Sequence, residues 1–327
     1  MAREKERGST GVIDTLSAGY NTVNRHPWIV GVPVLVDLFF WLGPRLSLAP
    51  LVQRTVGRIA APAGLPADTL QTYQDYRDWL LQAGGSFNLF SLLTTHIPGI
   101  PSLMAGRDGL GATVALDSPW VVLLLFLLLP VAGLWLASIY YVGIGQPVRG
   151  VAESVGALWA RIWRTWGRLL LLMLLAIGVV LFVGLPLMVV GMLLGALNGP
   201  IVGFFAAFLW VVALWVQFYL FFVVDAIVIS DVGIAQAIRN SVTVVRFNLG
   251  PTMGLVVLIW IITLGMPIVW DAIAQNPIGT GVAILGNAYI SAGLAVASMT
   301  FYRDRFLALG NKLMGIRGQG SGTGERE

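Results

Sequence analysis

The sequence has no cysteine, only two histidines and little charge. Asp, Glu, Lys and Arg make up 11% of its 327 residues, where a soluble domain carries about 25%. The missing cysteine excludes a disulfide framework, thiolate catalysis, Cys-ligated clusters and haem attachment through Cys. The scarcity of charge excludes a soluble globular domain and a disordered chain. What the chain has instead is 57% hydrophobic residues and a mean hydropathy of +0.82. Those values describe an integral membrane protein.

The charge is also unevenly spread. No Asp, Glu, Lys or Arg occurs in Ser118–Val148, Leu169–Val224, Phe247–Trp270 or Ala272–Tyr302. A spanning helix needs about 20 apolar residues. The second run has 56 residues. As one helix it would measure about 84 Å, so it must fold back, and Asn198-Gly199-Pro200 is the turn sequence. These runs predict five helices, at roughly 119–145, 169–196, 201–225, 250–270 and 278–302. A sixth is predicted over about 28–48, apolar except for Asp37 and Arg45. It is too long for a signal peptide and lacks a small-residue cleavage site, so it reads as an uncleaved anchor. Trp79–Gly106 is also charge-free but carries four Gly and two Pro. Those residues weaken a helix, and we read the segment as interfacial or re-entrant, against the alternative of a seventh span.

With six spans and the N-terminus inside, 15 of the 20 Lys and Arg fall in cytoplasmic segments, as the positive-inside rule expects. A seven-span arrangement with the N-terminus outside gives the same split. An internal repeat separates the two. Arg164 to Pro186 is 22 residues and Arg246 to Pro267 is 21, and each proline sits in Gly-apolar-Pro-apolar. A weaker third copy runs from Arg25 through Gly43-Pro44. Upstream of each lies a segment with an apolar stripe: Ile13, Leu16, Tyr20 and Val23; Val151, Val155, Leu158, Trp159, Ile162 and Trp166; Ile234, Ile238, Val242 and Val245. On the second segment Arg161, Arg164 and Arg168, and on the third Arg239 and Arg246, occupy other positions, as in helices that lie at an anionic interface. Three equivalent units of amphipathic helix plus hairpin place these helices on one side, which requires an even number of spans between them. The predicted architecture is therefore all-α, with six transmembrane helices in three such repeats and both termini cytoplasmic. A basic tail covers 1–11 and is expected to be disordered. The membrane domain covers 12–305, with an extracytoplasmic insertion at 53–118 in the first hairpin, and a flexible tail covers 306–327.

The segment Ala237-Ile238-Arg239-Asn240-Ser241, the following Arg246 and the three-hairpin plan resemble a known group. It is the membrane domain attached to some bacterial glycerophosphodiester phosphodiesterases, together with related six-helix bacterial and archaeal families. The likeness covers about residues 12–50 and 119–305 and leaves the insertion outside. The barrel that carries the phosphodiesterase His and Glu residues has no counterpart here. The resemblance thus implies a membrane fold and lipid-facing work, without the hydrolase activity.

No nucleotide-binding, zinc-protease or nucleophile-elbow motif occurs, so no enzyme activity, metal or cofactor is expected. His26 and His96 lie far apart in sequence. His26 reads as an interfacial residue and His96 as a hydrogen-bonded loop residue. Intramembrane charge is the best functional pointer because it is costly. Asp37 falls near the middle of the first predicted span, with Arg45 about 12 Å further along a helix. Asp37 either fixes packing, through polar residues such as Asn287, Tyr289 or Gln217, or serves as a protonatable or ligand site. Arg45 can snorkel outward. Asp225 and Asp271 read as solvated helix ends. Arg25, Arg161, Arg164, Arg168, Arg239 and Arg246 are the candidate contacts for lipid headgroups. The expected partners are membrane lipids, preferentially anionic, and no nucleic acid. The expected role is non-enzymatic, lipid-related or scaffolding, in the plasma (inner) membrane. The alternative is a transporter or channel for a small or amphipathic solute built around Asp37.

Overall fold

The computed structural model describes residues 11–58, 66–95, 98–151, 153–197 and 199–320. The predicted tail up to residue 10, His96, Asn198 of the predicted turn and residues 321–327 lie outside the described residues. In chain order the elements are α1 (Val12–Arg25), a 3₁₀ turn (Pro27–Val30), α2 (Gly31–Leu42), β1 (Arg45–Ser47), α3 (Ala49–Arg58) and α4 (Ala67–Ser86). A second 3₁₀ turn (Leu89–Leu93), β2 (Thr113–Ala115), α5 (Pro119–Arg149), α6 (Val155–Val179), a π turn (Val180–Gly184) and α7 (Leu185–Leu197) follow. The chain ends with α8 (Gly199–Tyr219), α9 (Val223–Ser230), α10 (Ile234–Phe247), α11 (Leu249–Ile273) and α12 (Pro277–Gly320).

The protein is an all-α membrane protein. Among the described residues five helical stretches are long and apolar enough to cross a membrane: Pro119–Arg149, Val155–Ala196, Pro200–Ser230, Leu249–Ile273 and Pro277–Gly310. Val12–Arg25 and Pro27–Leu42 are bent by 94° at the break between them and make a sixth only when counted together as one span. The charge-free runs thus mark the helices, but four boundaries differ from expectation. The first predicted span ends at Leu42, not near residue 48, because Pro44 disfavours helix at Gly43 and the chain then enters β1. The span expected from 169 is continuous with the basic segment before it, from Val155, since no proline interrupts Val155–Val179 and Gly167 is accommodated within the helix. The helix expected over 201–225 breaks at Leu220–Phe222. The last helix runs past the expected boundary at 306, to Gly320.

Two compact units divide the chain. The first takes residues 1–29, 141–266 and 290–327, and the second takes 30–140 and 267–289. In the first, α7 and α8 form a hairpin in which a Cβ on Gly195 would lie 2.8 Å from Val202, so the small residue sets the approach. In the same unit α1 packs on α12. The Tyr20 ring covers Gly293, where a Cβ would come within 2.2 Å of it. The buried positions of α1 are Thr15, Gly19 and Val23. The expected stripe is thereby rotated: Ile13 is exposed, because glycine at position 19 is what allows the close contact. The break between α8 and α9 is healed by Ser241 on α10. Its hydroxyl donates to the Tyr219 carbonyl at 2.7 Å and accepts from the Phe222 N–H at 3.2 Å. Phe222 stacks on Phe301 at 5.5 Å.

In the second unit, β1 and β2 pair in parallel, Arg45 opposite Thr113. That pairing draws the last part of the insertion against the chain that precedes it. The core gathers Phe40, Met104 and Ile284, with Trp41, Phe90 and Leu93 packed around them. The predicted interfacial segment 79–106 contains the end of α4, the 3₁₀ turn and irregular chain, with no long helix among its described residues. Its continuation lies on the end of α2. The Leu110 N–H donates to the Trp41 carbonyl at 2.6 Å, satisfying one of the carbonyls a helix end leaves open. A side chain at Gly111 would meet the Gly43 carbonyl, so glycine permits the approach.

Candidate functional site

Asp37 lies on the buried face of α2 and is fully enclosed. Its Oδ1 accepts from the Ser102 hydroxyl at 2.5 Å and from the backbone N–H groups of Leu103 at 2.9 Å and Met104 at 3.0 Å. Oδ2 accepts from Leu103 at 3.1 Å. The hydroxyl of Ser102 also accepts from the Ala105 N–H at 3.1 Å. One carboxylate therefore organises a turn of irregular chain that would otherwise leave buried N–H groups without acceptors. The partners expected on other helices, Asn287, Tyr289 and Gln217, are not the ones it uses. Helix spacing cannot reveal backbone donors that lie some 65 residues away in sequence.

Arg45 does not pair with Asp37. It donates to Asp108 and to the Ser86 carbonyl, the latter at 3.1 Å. Arg107 pairs with Asp271 at 2.8 Å, and Asp271 is solvent-exposed. Trp41, Met104, Arg107, Asp108, Asp271 and Thr280 are among the residues lining an open cleft of about 250 Å³ in this unit. Asp37 does not line it.

In the first unit the candidate headgroup arginines fall into two sets. Arg25, Arg239 and Arg246 are exposed and form no ion pair among the described residues. Arg161, Arg164 and Arg168 instead recur along α6 and converge on Asp231. The first two approach it at 3.3 Å, and Arg168 donates to its other oxygen. Asp231 caps α9 in the left-handed conformation, φ 51°, which Asp tolerates better than most residues. Arg161 also makes a two-point contact with Glu153, at 3.1 and 2.7 Å, the geometry that suits guanidinium to carboxylate. Arg149, at the end of α5, lies 3.3 Å from the same Glu153 and donates to the Val228 carbonyl at 3.5 Å.

Sequence reasoning found the arginines and missed Asp231, Glu153 and the part played by Arg149. A signal was present: Glu153 is the only acid between the charge-free runs that end at Val148 and begin at Leu169, amid four arginines. Asp225, expected at a solvated helix end, is buried and accepts from Ser298 at 2.5 Å. The bend at 220–222 turns α9 into the helical packing. Beside it, Tyr302 shares a hydrogen bond with Ser230 at 2.9 Å and accepts from Asn240 at 3.3 Å. The backbone N–H of His26 caps α1. Among the described residues, no three His, Asp or Glu side chains gather as a metal site would need.

The chain belongs to the family described as Domain of unknown function (DUF7847), which matches residues 81–303. The match takes in α5 through most of α12, and also the part of the insertion that holds Ser102, Leu103 and Met104. No curated protein and no solved structure matches the chain.

Proposed function

We propose that this member of the family is a non-enzymatic membrane protein that works at the lipid surface, through arginines presented to anionic headgroups. The observation that carries this reading is the exposure of Arg25, Arg239 and Arg246 without acidic partners among the described residues. An arginine near an anionic surface gains about 1 kcal/mol, an interaction screened by salt. Asp37, on which a transport role would rest, is occupied by the turn it holds. The resemblance to the membrane domain of glycerophosphodiester phosphodiesterases is in keeping with lipid-facing work. We further propose that the three amphipathic segments head three repeated units on the cytoplasmic side of the plasma membrane, with both termini on that side.

The test is the triple variant Arg25→Gln, Arg239→Gln, Arg246→Gln in vesicles with and without phosphatidylglycerol. The variant should lose most of the enrichment of anionic over zwitterionic lipid around the protein, read with spin-labelled lipids. Equal enrichment in variant and parent, with the fold intact, would overturn the reading. A phosphatase reporter after Leu309 should stay inactive, and an active one would refute the proposed orientation.

A further inference from the structure

We infer that Arg149, Arg161, Arg164 and Arg168 form a binding site for a phosphoryl anion, distinct from the exposed arginines of the lipid-surface reading. Four guanidinium groups face only two carboxylates, Glu153 and Asp231, which leaves an excess of two positive charges. Arg303 is nearby, donating to the Val148 carbonyl, but Asp304 neutralises it. The second observation is Arg149. Its side chain is only 9% exposed and its Nη2 is held by the ion pair with Glu153, yet its buried Nε has no hydrogen-bond acceptor. Buried donors of that kind normally find one, and a guanidinium fork matches the oxygens of a phosphoryl group. The cluster grades outward from Arg149, through Arg161 at 16% and Arg168 at 24%, to Arg164 at 53% exposed. An anion can therefore enter beside Arg164 and displace part of the arginines' contact with Asp231. The left-handed turn at Asp231 fixes the competing carboxylate where it holds the arginines together without neutralising them.

The group recognised is the phosphoryl oxygen set, which a phosphate-monoester lipid and free phosphate both present. The experiment uses the full chain in neutral detergent, titrated with inorganic phosphate, with short-chain phosphatidate and with short-chain phosphatidylcholine. Binding is followed by calorimetry. Two variants move the site in opposite directions. Arg164→Gln removes the most exposed cation and should weaken binding roughly tenfold, the scale of one charge-assisted contact. Asp231→Asn removes the competitor while keeping a residue that accepts the left-handed turn, and should tighten binding by a similar factor. An ion-pair network with only a structural role would lose stability in both variants without this opposite shift. Saturation by phosphatidate alone assigns the lipid as the source, and saturation by phosphatidate and phosphate assigns the free phosphoryl group as sufficient. No binding of either by the parent protein would overturn the site, as would affinities unchanged in both variants. Neither variant touches Arg25, Arg239 or Arg246, so the two proposals stand or fall separately.

Discussion

The stretch Val155–Ala196 is the more apolar of two long helical stretches, yet only 6% of its most apolar window is buried in the protein. Pro277–Gly310 is the less apolar, and 56% of its window is buried. In a soluble protein the order would be reversed. Here apolarity marks contact with lipid, which is as apolar as a leucine side chain. Burial instead follows small residues that let helices approach. Ala288, Ala292 and Val296 recur every four residues on the buried face of α12, whereas Phe182, Leu193 and Phe204 stand exposed on the helices of the hairpin region.

Breaking the buried side should cost the most. Gly293→Leu puts a side chain into the Tyr20 ring and should destabilise by about 3 kcal/mol, the upper range for overpacking. Unfolding in a denaturing-detergent titration measures it, and a neutral result would mean that α1 does not seat on α12. Next is Asp37→Leu, which removes the acceptor of three donors and should cost about 1–3 kcal/mol in the same assay. Asp37→Asn retains an Oδ1 and should lose less. If Asn and Leu proved equal, the turn at Ser102–Met104 would not depend on that oxygen. On the lipid side, Phe204→Ala should stay within about 0.5 kcal/mol, and a cost like that of a core Phe would reveal a protein partner on the hairpin. The last test concerns exposure alone. The chain has no cysteine, so single Cys residues are clean probes. A nitroxide attached at Phe182→Cys in detergent before reconstitution should be relaxed strongly by oxygen dissolved in the hydrocarbon, and one at Ala288→Cys weakly, and equal relaxation would erase the contrast.

The helices α5, α8, α11 and α12 could be read from the sequence because absence of charge over 20 or more residues has one main physical cause, the thickness of the hydrocarbon. The fold-back of α7 onto α8 was legible from the Gly199-Pro200 pair at the start of α8. The break at Leu220–Phe222 was not, since no Gly or Pro marks it and its open backbone groups are satisfied by Ser241 on another helix. Asp37 was legible as a residue needing partners. Which partners it takes depends on the path of irregular chain, and periodicity is silent there. The arginines of α6 were legible as a face, but their convergence on Asp231 is a tertiary event between segments more than 60 residues apart.

The π turn at Val180–Gly184 bears on chain length. A π turn closes its hydrogen bond over five residues in place of four, so it stores one surplus residue inside an otherwise unbroken helix. The interval from Arg164 to Pro186 has one residue more than that from Arg246 to Pro267, and α11 carries Pro267 without a π turn. In the repeat proposed above, the surplus residue and the π turn fall in the same copy. Deleting one residue from Val180–Gly184 should restore α geometry and bring the two copies into equal length, whereas the same deletion in α11 has no bulge to consume and would rotate every residue beyond it by about 100°.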